Sequence, residues 1–129
     1  MEPSRLQVEP KQNKPFAFME TEVILNLRRT QGVLRGPEDA LLRASGLSSS
    51  GYNVLRILRG AGTTGLPCRD IGDRMVTRVP DVTRLLDRLT TDGLVSRERA
   101  SDDRRVVLTQ ITSQGRQLVD SLDKPGERL

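Results

Sequence analysis

The stretch PDVTRLLDRLTTDGLVSRERASDDRRVVLTQIT, residues 80–112, decides how this chain is read. Val82, Leu85, Leu86 and Leu89 recur at i, i+3, i+4 and i+7, the spacing of one buried helical stripe. Arg84, Asp87, Arg88 and Thr91 fall on the opposite stripe. Pro80 suits the first turn of such a helix, and Gly93 stops it. The period then changes. Leu94 to Arg99 and Val106 to Ile111 are extended, β-branched-rich runs around the polar turn Ala100 to Arg105, which predicts a β-hairpin with a charged tip.

Working outward, Cys68, Ile71 and Met75 share one face of a short helix, and Val76 to Val79 break it before the Pro80 helix. Two helices joined by a turn and followed directly by a hairpin form a winged helix-turn-helix. Upstream, Ser48-Ser49-Ser50 offers N-caps to a helix carrying Val54, Leu55, Ile57 and Leu58, closed by Gly60 and Gly62. A first helix is expected from Asn13 to Pro15 onward, with Phe16, Met19, Val23, Ile24, Leu27 and Leu34 on its apolar side. Gly36-Pro37 should end or break it, leaving a short helical piece from Pro37 to Ala44. After the hairpin, Thr112 can cap a last helix with Leu118, Val119 and Leu122 inward, terminated by Pro125-Gly126. The expected fold class is mainly α with a small β-hairpin (α+β). Its parts are a flexible arm (1–14), an N-terminal helical region for dimerisation (15–46), the winged helix-turn-helix (47–112) and a short C-terminal helix (113–129).

Composition narrows the function. The 129 residues hold 21 Lys+Arg, 17 Asp+Glu, one Cys and no His. Lack of histidine removes Ser-His-Asp and Cys-His activation and His-ligated metals. The carboxylates alternate with arginines at surface-like spacing, so neither an enzyme nor a metal site is expected. No run approaches the ~18 apolar residues of a membrane span, and residues 1–14 lack the apolar segment of a secretory signal, so a cytoplasmic protein is expected. Aromatics are only 2%. A core built from Leu, Val and Ile in so short a chain is small, which favours further burial against a second chain. The net charge of +4 is modest, but all nine basic residues of segment 67–112 are arginines, set among eight acids. Arginine's planar fork suits phosphates and base edges, so a nucleic-acid footprint would come from placement rather than bulk charge.

At Asp81-Val82-Thr83-Arg84-Leu85-Leu86-Asp87-Arg88-Leu89, Gly93-Leu94-Val95, and Asp103-Arg104-Arg105 through Thr112 and Gly115, the chain resembles the MarR family of winged-helix transcriptional regulators. The family pattern runs T-R-x-L-D-x-L, G-[LW]-V, D-x-R on the wing and T-x-x-G, and every element is present in order. Leu47-Ser48, Tyr52 to Leu55 and Leu66 to Met75 extend the likeness, which covers roughly residues 16 to 120. The resemblance implies a regulator, most often a repressor, that binds double-stranded DNA as a homodimer through its N-terminal and C-terminal helices. It also implies release by a small aromatic or phenolic effector, for which no residue here is specific, and no cofactor. The family continues through longer C-terminal helices, whereas here only residues 113–129 follow Thr112. The alternative is a truncated winged-helix module used for protein interaction.

By the same resemblance, Arg105 enters the minor groove and Asp103 orients it, while Arg104 touches phosphate. Arg84 can reach a guanine edge or a phosphate, and Thr83 a phosphate or a thymine methyl. Arg78, Pro80 and Asp81 approach from the preceding turn. Arg88 either contacts DNA or pairs with Asp87 or Asp92. Arg69 lies beside the free backbone N–H groups of the helix that starts near Pro67. Cys68 reads as a small buried hydrophobe, with redox sensing as the other possibility.

Overall fold

The computed structural model describes residues 18–126, with side chains to residue 123. The expected arm and the expected helix start at Asn13 to Pro15 lie outside the described residues. In chain order the elements are α1 (Met19–Arg43), α2 (Ser49–Gly60), β1 (Leu66–Pro67), α3 (Cys68–Arg74), α4 (Val82–Thr91), β2 (Val95–Arg99), β3 (Val107–Ile111) and α5 (Ser113–Gly126). The chain divides into two compact units, Met1–Pro37 and Glu38–Leu129.

The break expected at Gly36-Pro37 does not occur, because α1 is helical through Pro37. Proline forfeits one backbone hydrogen bond, a cost of about 3 kcal/mol inside a helix, but its fixed φ is a helical value. Its ring also crowds the Cβ of the preceding residue, and here that residue is glycine. Within the first unit, Phe18, Met19, Val23, Ile24, Leu27, Val33 and Leu34 are all exposed.

The second unit contains the core. Leu42, Val54, Leu55, Leu58, Ile71, Leu86, Leu89, Val119 and Leu122 form one buried cluster. Each such side chain contributes roughly 1.5–3 kcal/mol by leaving water. Ser48 starts α2 by accepting the Gly51 N–H at 3.0 Å.

The sheet has three strands in the order β1-β3-β2, all antiparallel, rather than the two expected. Val95 lies opposite Ile111, Arg97 opposite Thr109 and Arg99 opposite Val107. The extra strand sets Leu66 opposite Thr109 and Pro67 opposite Leu108. Two residues are too few to show a period-2 pattern, and Pro67 is tolerated because β1 is an edge. Thr109, between both neighbours, is the one polar residue buried in this core among the described residues.

The Pro80 expectation also changes. The α4 N-cap is Asp81, whose carboxylate accepts the Arg84 N–H at 3.0 Å, so Pro80 precedes the helix instead of sitting in its first turn. Thr112 caps α5 as expected. Its Oγ1 accepts the Gly115 N–H at 3.1 Å and donates to the Gly93 carbonyl at 2.7 Å. At Gly115 the turn before β2 comes so close that a Cβ would collide with the Leu94 carbonyl.

Candidate nucleic-acid interface

Helix α4 buries Leu86 and Leu89 and leaves Thr83, Arg84, Asp87, Arg88 and Thr91 exposed. The 3.6-residue repeat of the sequence demands this division. Among the described residues no ion pair or side-chain hydrogen bond occupies Arg84, Arg88, Arg69 or Arg78. The pairing considered between Arg88 and Asp87 or Asp92 is absent there, because Asp87 is taken by Arg97. Thr83 sits against α3, with its Oγ1 3.6 Å from the Cys68 Sγ. Cys68 is therefore half-buried at the junction of the two helices rather than sunk in the core. The turn between α3 and α4 is held from α2, where the Asn53 Oδ1 accepts the Val76 N–H at 2.9 Å. Pro80 and Asp81 lie exposed beyond that turn.

At the wing tip one carboxylate holds one guanidinium. Asp103 Oδ1 accepts the Arg105 backbone N–H at 3.0 Å and its Nε–H at 3.1 Å, and Oδ2 accepts Nη2–H at 3.3 Å. The Arg105 side chain nevertheless remains 91% exposed. Its hydrogen bonds stabilise the charged carboxylate and hold the Asp103 pKa below the ordinary value. The Arg104 carbonyl accepts Arg99 Nη1–H at 2.7 Å, closing the turn, while the Arg104 side chain is exposed.

Two groupings escaped the sequence reading. Arg97 on β2 reaches α4, with Nη1 2.6 Å from Asp87 Oδ1 and Nη2 3.3 Å from the Thr83 carbonyl. Strand alternation carries the available signal, since it puts Arg97 on the face of buried Val95. The second grouping joins α2 to α5. Tyr52 Oη donates to Asp123 Oδ1 at 2.6 Å, and Arg59 bridges Asp120 and Asp123. The Arg56 guanidinium lies 5.7 Å from the Tyr52 ring centre. The Tyr52 hydrogen bond, reinforced by Arg59, pulls the Asp123 pKa down, and burial followed by the Asp123 carboxylate pushes the Tyr52 phenol up.

Known proteins share this fold. The MarR family pattern matches residues 47–107. The crystal structure of a MarR transcription factor from Planctomyces limnophilus is 36% identical, with a TM-score of 0.74 over 88% of this chain and 82% of that one. This chain belongs to the MarR family of winged-helix transcriptional regulators. The uncharacterized HTH-type transcriptional regulator YdgJ of Bacillus subtilis (strain 168) is 30% identical over 113 residues, 88% of this chain and 66% of YdgJ. Its counterpart YfiV from the same organism is matched over 49% of its length, so the chain spans between about half and two thirds of these curated relatives. The structure of Bordetella bronchiseptica BpsR, whose DNA binding is regulated by 6-hydroxynicotinic acid, is 26% identical, with a TM-score of 0.75 over 89% of this chain and 80% of that one.

Proposed function

We propose that this MarR-family chain is a sequence-specific repressor that binds double-stranded DNA in the cytoplasm as a homodimer. Helix α4 enters the major groove, which is wide enough for one helix, and Arg105 enters the adjoining minor groove. The observation that carries this reading is the Arg105 side chain, which donates two hydrogen bonds to the Asp103 carboxylate yet stays 91% exposed. A long cation held in one conformation before binding loses less conformational entropy on binding. Arg84 reads a base edge and Thr83 and Arg88 lie beside it, while Arg69, Arg78 and Arg104 meet phosphates. Asp81 and Asp103 act through the backbone and the arginine they hold, and Pro80 shapes the approach.

Dimerisation through the N-terminal and C-terminal helices would present two copies of α4 to two half-sites. The exposed apolar residues of α1 support this arrangement. A small aromatic effector would release the DNA by favouring a dimer whose recognition helices misfit those half-sites. The regulation of the relative BpsR by 6-hydroxynicotinic acid supports that part of the reading.

Selection of bound duplexes from a random pool tests the proposal. A pseudo-palindromic motif is expected, with affinity falling steeply as salt rises. Arg105→Ala should cost about tenfold in affinity without changing the melting temperature, and Arg84→Ala should change which bases are preferred. A flat salt response, or full affinity in Arg105→Ala, overturns the reading.

A further inference from the structure

We propose that Arg97 is a positioning residue that locks the wing to the recognition helix, so that Arg84 and Arg105 meet one duplex as a unit. This rests on the DNA-binding function proposed above. Arg97 differs from Arg99 and Arg105, whose side-chain bonds stay within the wing, in that its bonds reach the recognition helix. Its side chain is 24% exposed, against 91% for Arg105, and its fork already holds Asp87 Oδ1 at 2.6 Å and the Thr83 carbonyl at 3.3 Å.

Thr83 and Asp87 stand one turn apart on α4, so the guanidinium spans a helical turn and fixes β2 both along the helix and around it. A planar fork with several donors can make both contacts at once, whereas an ammonium cannot hold that geometry. Asp103 lies six positions beyond Arg97, along β2 and into the turn. At roughly 3.3 Å per strand residue, a small pivot at Arg97 becomes a larger displacement of Arg105.

The contact also carries a cost that stability alone does not explain. The Arg97 Nε is buried with no hydrogen-bond partner. An unsatisfied buried donor is unfavourable, and an apolar pair in the same place would avoid it. What the ion pair adds over an apolar contact is direction. It sets which way the wing points from the helix.

The test is a double-mutant cycle on the full chain, with affinity measured by fluorescence anisotropy on the duplex enriched by the wild-type protein. Arg105→Ala should cost about tenfold in the wild-type background and less than about threefold in Arg97→Lys, because a wing that has lost its register gains little from its arginine. Arg97→Lys keeps the charge and the buried stem, so its melting temperature should stay within a few degrees of wild type. Asp87→Ala removes the partner at a site 62% exposed and should reproduce the coupling without disturbing the core. If Arg105→Ala costs the full tenfold in both backgrounds, Arg97 is merely structural and the inference is overturned. If the wild-type chain enriches no duplex, the proposed function fails first and the inference with it.

Discussion

Helices α1 and α4 carry apolar residues at similar helical spacing and meet opposite surroundings. In α4, Leu86 and Leu89 are 1% and 2% exposed. In the first unit's part of α1, Val23, Leu27 and Val33 are 50%, 66% and 70% exposed. Periodicity identifies a stripe that prefers to leave water, but not the surface that will cover it. The α4 stripe finds its cover within the same chain. The stripe on α1 is what a second copy would cover in the proposed dimer.

The largest expected effect breaks the packed region at its closest backbone approach. Gly115→Ala should destabilise the chain by about 3 kcal/mol or more, because the new Cβ meets the Leu94 carbonyl, and thermal melting should fall by roughly 10 °C or more. An unchanged melting curve would mean the α5 start is looser than described.

The exposed stripe is probed next. Leu27→Asp should weaken self-association by roughly 2 kcal/mol, about thirtyfold in dimer dissociation constant, seen by sedimentation at micromolar concentration. A dimer of undiminished strength would remove α1 from the interface.

A smaller effect comes from the tie between α2 and α5. The Asp123 pKa is lowered on folding from an ordinary value of 3.8. Its contribution is therefore fully present above about pH 4 and is lost as pH falls through the lower folded value. Asp123→Asn should cost about 1 kcal/mol at neutral pH and flatten the acid limb of a melting-temperature profile. A profile identical to wild type would show that Arg59 and Tyr52 draw nothing from the charge.

The smallest effect has the opposite sign and lies in the other region. A Cβ at Gly32 has nothing within 4 Å, so Gly32→Ala should stabilise α1 by about 0.5–1 kcal/mol, measured as helicity by circular dichroism. Loss of self-association in Gly32→Ala would instead show that a partner backbone approaches there.

Much of the helix-turn-helix and the wing was legible because their signals are local. Asp103 and Arg105 are two residues apart, and their fork forms within the turn. The stripe of α4 follows from its own period. The strand β1 was not legible, because Leu66 and Pro67 are extended only through pairing with Thr109 and Leu108, far along the chain. Pro37 misled because the proline rule weighs the lost hydrogen bond and not the glycine before it. Arg97 gave no local signal, since its partners lie 10 and 14 positions away on another element.

By itself, the sequence determined which residues would form a helix-turn-helix and a charged hairpin, and it carried enough of the family's pattern to identify the MarR fold. These are consequences of short-range periodicity, capping and turn chemistry. Which arginines are free and which are engaged follows from the packing of the elements. That choice depends on distances between elements remote in sequence, and a guanidinium has no preference among acceptors until the fold brings one within about 3 Å.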